Sequence, residues 1–148
     1  MLRDLNWTPI GNKIQVLNDT RDLGTHLNAL TTLRGTTLTQ RLHDTSDQIH
    51  RQRHLPLSKP HRHLVATTKY LPKALYGCET QPVNEGALIH FRASLAIALG
   101  NRTTSRSLDT TFTVASLGKG IDIDPCVQII VRRIRLLRRF FYQHDITT

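Results

Sequence analysis

Asp122-Ile123-Asp124 spaces two carboxylates by two residues. On a strand they would share a face and could hold Mg²⁺, which takes oxygen ligands in a tight octahedron. No further carboxylate stands nearby, and Asp124 precedes Pro125, where an acidic helix cap is the better use of it. The chain has no adjacent Asp-Asp pair, so a two-metal phosphoryl-transfer site is not visible. His50, His54, His61 and His63 place imidazoles densely enough to raise the question of zinc. No cysteine or acid completes a tetrahedral set, so a basic, solvated face is the simpler reading. Cys78 and Cys126 form no C-x-x-C pair. Gly118-Lys119-Gly120 is a turn and lacks the spacing of a phosphate-binding loop. No local signature of Ser/His/Asp or Cys/His catalysis is present. The sequence therefore predicts no catalytic residue, no metal and no cofactor.

What remains is charge. The 148 residues carry 20 Lys+Arg against 11 Asp+Glu, a net +9 with a pI near 10.4. Segment 41–73 has seven cations (Arg41, Arg51, Arg53, Lys59, Arg62, Lys69, Lys73) and two acids, net +5. Segment 125–148 has five arginines (Arg132, Arg133, Arg135, Arg138, Arg139) and one acid, net +4. These two stretches account for the whole excess. Five of the eight histidines (His43, His50, His54, His61, His63) lie in the first. Two basic helical surfaces imply an acidic partner, and nucleic acid leads. The plainer alternative is two solvated helix faces. Aromatics are few and sit mostly at core spacing, so gripping phosphates is a more natural mode than stacking bases.

The elements that must carry these charges are mainly helical. Apolar residues are 39% of the chain, enough for a core. Residues 11–28 read as a β-hairpin. Lys13–Leu17 and Leu23–Leu27 alternate around a turn at Asn18–Asp22, with Gly24 marking a bulge. A bundle of about four helices follows. The first begins at Thr36 or Thr37 and stacks Leu38, Leu42, Thr45 and Ile49. It ends at Leu55-Pro56-Leu57-Ser58. The second starts near Lys59 or Pro60 with a stripe of Leu64, Thr68, Leu71, Leu75 and Cys78, and Pro72 predicts a kink or break near Tyr70. Asn84 caps a third over 85–99 that buries Leu88, Phe91, Leu95 and Ala98 and ends at Gly100-Asn101. Residues 101–124 read as a polar loop with one short element near Phe112–Leu117. The last helix runs from Pro125 to about Tyr142. Its apolar arc includes Arg133, which either snorkels past its neighbours or pairs with an acid.

No apolar run approaches the roughly 18 residues of a membrane span, and Met1-Leu2-Arg3-Asp4 is no secretory signal. Two lone cysteines fit a reduced, intracellular setting, nuclear or cytoplasmic. No membrane partner is expected.

Three stretches occur together in a telling order. They are Asp22-Leu23-Gly24-Thr25-His26-Leu27, then Leu71-Pro72-Lys73-Ala74-Leu75-Tyr76-Gly77-Cys78-Glu79, then Asn84-Glu85 with Leu88-x-x-Phe91-Arg92. Over roughly residues 12–100 the chain resembles the reverse transcriptases (RNA-directed DNA polymerases) of non-LTR retrotransposons, in the stretch after the catalytic palm. There a Leu-Gly hairpin contacts the primer end and a helical thumb follows. The family's aromatic-x-Asp-Asp motif, its other catalytic carboxylate and its nucleotide-binding strands have no counterpart here. The resemblance thus implies a thumb-like fragment without polymerase activity of its own, possessing Met1 only as an opportunistic start. Its division would be 1–35 with a primer-grip-like hairpin, 36–100 as the thumb-like helical region, 101–124 as a polar loop and 125–148 as a basic helix. It implies a template–primer partner of RNA or DNA, and the missing palm or another protein as a second partner. Leu23 and Gly24 would belong to the primer-contacting hairpin. Arg41, Arg51, Arg53, Arg62, Lys69 and Lys73 would face template–primer. Arg132, Arg135 and Arg139 on the last helix complete the candidate nucleic-acid set from charge. Two rivals stand beside this reading. One is a small basic helical protein-interaction module. The other is a compact metal-dependent nuclease built on Asp122, Asp124 and histidines.

Overall fold

The computed structural model describes residues 19–22, 25–28, 36–52, 54–100, 107–117 and 122–144. Its order is β1 (Asp19–Asp22), β2 (Thr25–Asn28), α1 (Thr36–Gln52), α2 (Lys59–Val65), a π turn (Ala66–Tyr70), α3 (Leu71–Ala74), α4 (Glu85–Ala98), α5 (Leu108–Ser116) and α6 (Pro125–His144). Because α2, the π turn and α3 run on without a gap, these are five helical rods.

This corrects the predicted hairpin with about four helices. Residues 13–17, the predicted first strand, lie outside the described residues, as do Leu23 and Gly24. Of the predicted turn Asn18–Asp22, residues Asp19–Asp22 are themselves extended. They pair antiparallel with Thr25–Asn28 in the register Asp19↔Asn28 to Asp22↔Thr25. Two four-residue strands make no sheet layer, and helices build the core.

That core is centred on α1. Leu38, Leu42 and Thr45 are fully buried and Ile49 nearly so, as the four-three-four spacing requires. Helix α1 packs against both α3 and α4. Along α1 and the α2–α3 rod, Gln52 meets Tyr70, Gln48 meets Lys73 and Arg41 meets the backbone of Tyr76, so the two run antiparallel. Helix α4 supplies Phe91 and Leu95, both fully buried. Asn84 Oδ1 accepts from the Ala87 amide at 3.0 Å, and Gly100, at φ 87°, ends the rod as a left-handed glycine does.

One predicted stripe and one predicted short element shift for identifiable reasons. In the α2–α3 rod Leu64 and Thr68 are exposed, and the buried face is Ala66, Tyr70, Leu71, Ala74, Leu75 and Cys78. The π turn explains both this and the missing break at Pro72. The Leu71 amide reaches back five residues to the Ala66 carbonyl, so an extra residue enters just before the proline. The rod passes Pro72 without breaking, and the stripe changes phase. The second shift lies in 101–124, where α5 occupies Leu108–Ser116. Thr111 and Phe112 are buried there, and Phe112 draws the polar segment onto α4.

Among the described residues no helix is long and apolar enough to cross a membrane.

Candidate nucleic-acid interface

Helix α6 is tied to the body at its first half. Asp124 caps it, with Oδ1 accepting from the Cys126 amide at 2.9 Å. The same carboxylate receives Arg92 Nε at 3.1 Å and Nη2 at 2.8 Å, a bidentate pair whose side chains are 15% and 11% exposed. Arg92 Nη2 also reaches Asp109 on α5. Burial works against the Arg92 charge, but hydrogen bonds to Asp109 and Asp124 outweigh it and hold its pKa above the usual value. One side chain thus joins α4, α5 and α6. Asp122 Oδ1 accepts from the Asp124 amide at 2.8 Å and, more loosely, from Ser116 Oγ. Both carboxylates of the D-x-D pair are therefore committed to amides, a hydroxyl and a guanidinium. Among the described residues no group of three or more His, Cys, Asp or Glu could hold a metal ion.

Arg133, the cation inside the apolar arc of α6, takes neither predicted course. Its Nε donates to the Cys78 carbonyl at 3.1 Å and its Nη2 to the Gln81 carbonyl at 2.9 Å. Arg132 donates to the Leu75 carbonyl at 3.2 Å and lies 3.8 Å from Glu79. Both arginines grip the 75–81 segment that follows α3, at the carbonyls of Leu75, Cys78 and Gln81, the first of which also accepts from the Cys78 amide at 3.2 Å. Gly77 takes φ 82° there, and the segment curls back.

The result is a cleft of about 420 Å³ between α6 and that segment, lined by Tyr76, Thr80, Arg132, Arg135 and Arg139. Arg135 and Arg139 are exposed. Arg41 borders the cleft from α1. It donates to the Tyr76 carbonyl at 2.8 Å, and its guanidinium carbon lies 5.0 Å from the Tyr76 ring centroid. Glu79 is the one acid lining the cleft. The set is cationic, solvent-open and flanked by a half-exposed aromatic ring, and it can hold an anionic backbone. Burial pushes the nearby Cys78 thiol up, with Glu79 adding to the shift and Arg132 and Arg133 opposing it.

The other predicted residues divide. Arg51 and Lys73 share a second cleft with Asp44 and Asp47, which cancel their charge. Lys73 Nζ donates to Gln48 Oε1 at 3.1 Å, and Arg51 Nε leans on the Asp47 carbonyl. Lys69 is exposed one turn before Lys73. Arg62 is half-buried and structural. Its Nε donates to the Leu57 carbonyl at 2.9 Å, and its guanidinium lies beside Gly100. Leu23, Gly24 and Arg53 lie outside the described residues. Basic segment 41–73 is thus not one surface. Arg132, Arg135 and Arg139 of 125–148 do converge on one cleft, and Arg41 meets Tyr76 at its border.

Sequence reasoning missed two residues. Core spacing for most of the aromatics does not single out Tyr76, which is 53% exposed at the cleft. The signal was Gly77 directly after it, which ends the rod and turns the ring outward. Arg92 was quoted only within a resemblance, and nothing in its spacing shows that two distant aspartates converge on it.

No family model matches this chain, and no curated protein or solved structure does.

Proposed function

We propose that this chain grips nucleic acid through backbone phosphates, in the manner of the thumb of a non-LTR retrotransposon reverse transcriptase, and carries no polymerase chemistry of its own. The observation that carries this reading is the cleft in which Arg132, Arg135 and Arg139 face Tyr76 and Thr80, with Arg41 at its border. Guanidinium groups suit phosphate because their planar fork matches its oxygens. Arg132 is partly occupied by a carbonyl and by Glu79, so Arg135 and Arg139 are the principal phosphate contacts. Such binding releases counterions, and affinity falls with salt by a slope of about 0.9 per phosphate neutralised on duplex DNA.

The test is fluorescence anisotropy with labelled duplexes of DNA and of RNA–DNA hybrid over a range of salt. Wild type binds with a steep slope, and Arg135→Gln with Arg139→Gln lowers that slope by about 2. Binding indifferent to salt, or a slope unchanged in the double variant, removes the cleft from consideration. Nucleotide incorporation by the purified chain with Mg²⁺ would contradict the non-catalytic part. The protein-interaction reading has an observation in its favour, the exposed apolar side chains of α6. It requires association that salt does not weaken.

A further inference from the structure

The second half of α6 has an apolar surface of which the cleft uses only Leu136, while Arg135 and Arg139 serve the cleft as well. Beyond Arg133 the side chains of 134–143 are exposed. Ile134 is 58% and Phe141 62% exposed, and Leu137 lies between them on the same side. At about 100° per residue, Ile134, Leu136, Leu137, Phe140 and Phe141 fall within an arc of about 160°, and Arg135, Arg138 and Arg139 fall within about 100° of the remainder. Phe140 and Phe141 meet edge to face, with centroids 6.1 Å apart, and Arg138 lies over the Tyr142 ring at 5.7 Å. No acid occurs between Pro125 and His144.

We propose that this half of α6 lies on the surface of an anionic lipid bilayer, with the apolar arc at the acyl boundary and the arginines at the headgroups. Charge decides the occupant. A second copy of this half of α6 would bring three arginines (Arg135, Arg138, Arg139) against three, with no carboxylate on the segment to offset them. Nucleic acid satisfies the arginines but offers nothing to an apolar arc. A partner helix covers a narrow seam, two positions in seven, and the arc here is far wider. A broad apolar face with aromatics, a purely cationic opposite face and modest overall hydropathy describe a helix that lies in the interface plane. The absence of a spanning helix does not bear on this, since a surface helix need not be long. The segment is about 15 Å long at 1.5 Å rise per residue, so the contact is peripheral and reversible.

The experiment is flotation of the full chain with phosphatidylcholine vesicles, with and without phosphatidylglycerol. Capture is expected on the anionic vesicles and not on the neutral ones. Leu137→Ser with Phe141→Ser lowers capture at least about tenfold, since two large apolar side chains leave the interface. Arg138→Gln lowers it about fivefold. Both variants replace exposed side chains, and unchanged far-UV circular dichroism verifies the helices. The Leu137/Phe141 variant retains wild-type duplex affinity, which separates this surface from the phosphate cleft. Absence of capture, equal capture on neutral vesicles, or capture that survives Leu137→Ser with Phe141→Ser overturns the proposal. So does a concentration-dependent dimer, abolished by that same pair, in a chain that does not float.

Discussion

Arg133→Met tests how the cleft is held together. The guanidinium makes two hydrogen bonds to carbonyls of the 75–81 segment, at 3.1 and 2.9 Å. Methionine keeps an apolar stem of similar length and removes both. A hydrogen bond from a charged donor contributes about 1.5–3 kcal/mol. Arg133 is half-buried, so solvent screening trims each to about 1 kcal/mol, and the expected loss is about 2 kcal/mol. For a chain of this length, 1 kcal/mol moves the thermal midpoint by about 4 °C, so the midpoint should fall by about 8 °C. Circular dichroism melts measure it, with Arg138→Met as the control. Arg138 is exposed on the same helix, and its loss should stay within about 0.5 kcal/mol. The same substitution frees the wall carrying Arg135 and Arg139, so duplex affinity should drop severalfold although Arg133 itself faces no ligand. A midpoint within about 2 °C of the parent would show that the two bonds do not hold α6 in place.

Arg92→Met leaves Asp124 without its guanidinium at a site where that side chain is 11% exposed, and should cost about 3 kcal/mol in chemical denaturation. Adding Asp124→Asn, which still caps α6, should return at least about 1 kcal/mol in a double-mutant cycle, and strict additivity would refute the coupling. Gly77→Ala forces a β-carbon into φ 82° and should cost about 1 kcal/mol, read by the same denaturation curves. Burial raises the thiol pKa of Cys78 and Cys126, with neighbouring carboxylates adding to the shift and arginines opposing it. The folded state therefore keeps these protons at a pH where the unfolded chain has lost them, and stability should decline as pH rises past the ordinary thiol range. Fully buried Cys78 should react with an aromatic disulfide reagent only on unfolding. Rapid labelling of both thiols in the native protein would be incompatible with that burial.

Much of the fold was legible because local rules decided it. The spacing Leu38, Leu42, Thr45, Ile49 admits one face, and that face is buried. Asn84 and Gly100 bracket α4, and Asp124-Pro125 opens α6, because caps answer to amides and carbonyls within a few residues. Where the reading failed, a longer-range term won. The short element expected near Phe112–Leu117 is α5, longer and starting four residues earlier at Leu108, because Phe112 is buried and α5 packs on α4. The π turn re-phased a stripe whose local pattern gave no sign of an inserted residue.

The candidate site divides in the same way. Sequence alone determined that the charge excess lies in 41–73 and 125–148, and that α6 is amphipathic, because composition and period are properties of neighbours along the chain. It could not determine which cations share a surface. Arg51 and Lys73 meet Asp44 and Asp47, Arg62 serves a loop carbonyl, and Arg41 reaches Tyr76 across 35 positions. Those outcomes depend on how rods cross and on which carbonyls stand where a helix ends. Only packing brings a guanidinium on one rod to the end of another, and so only the tertiary structure decided which arginines face solvent.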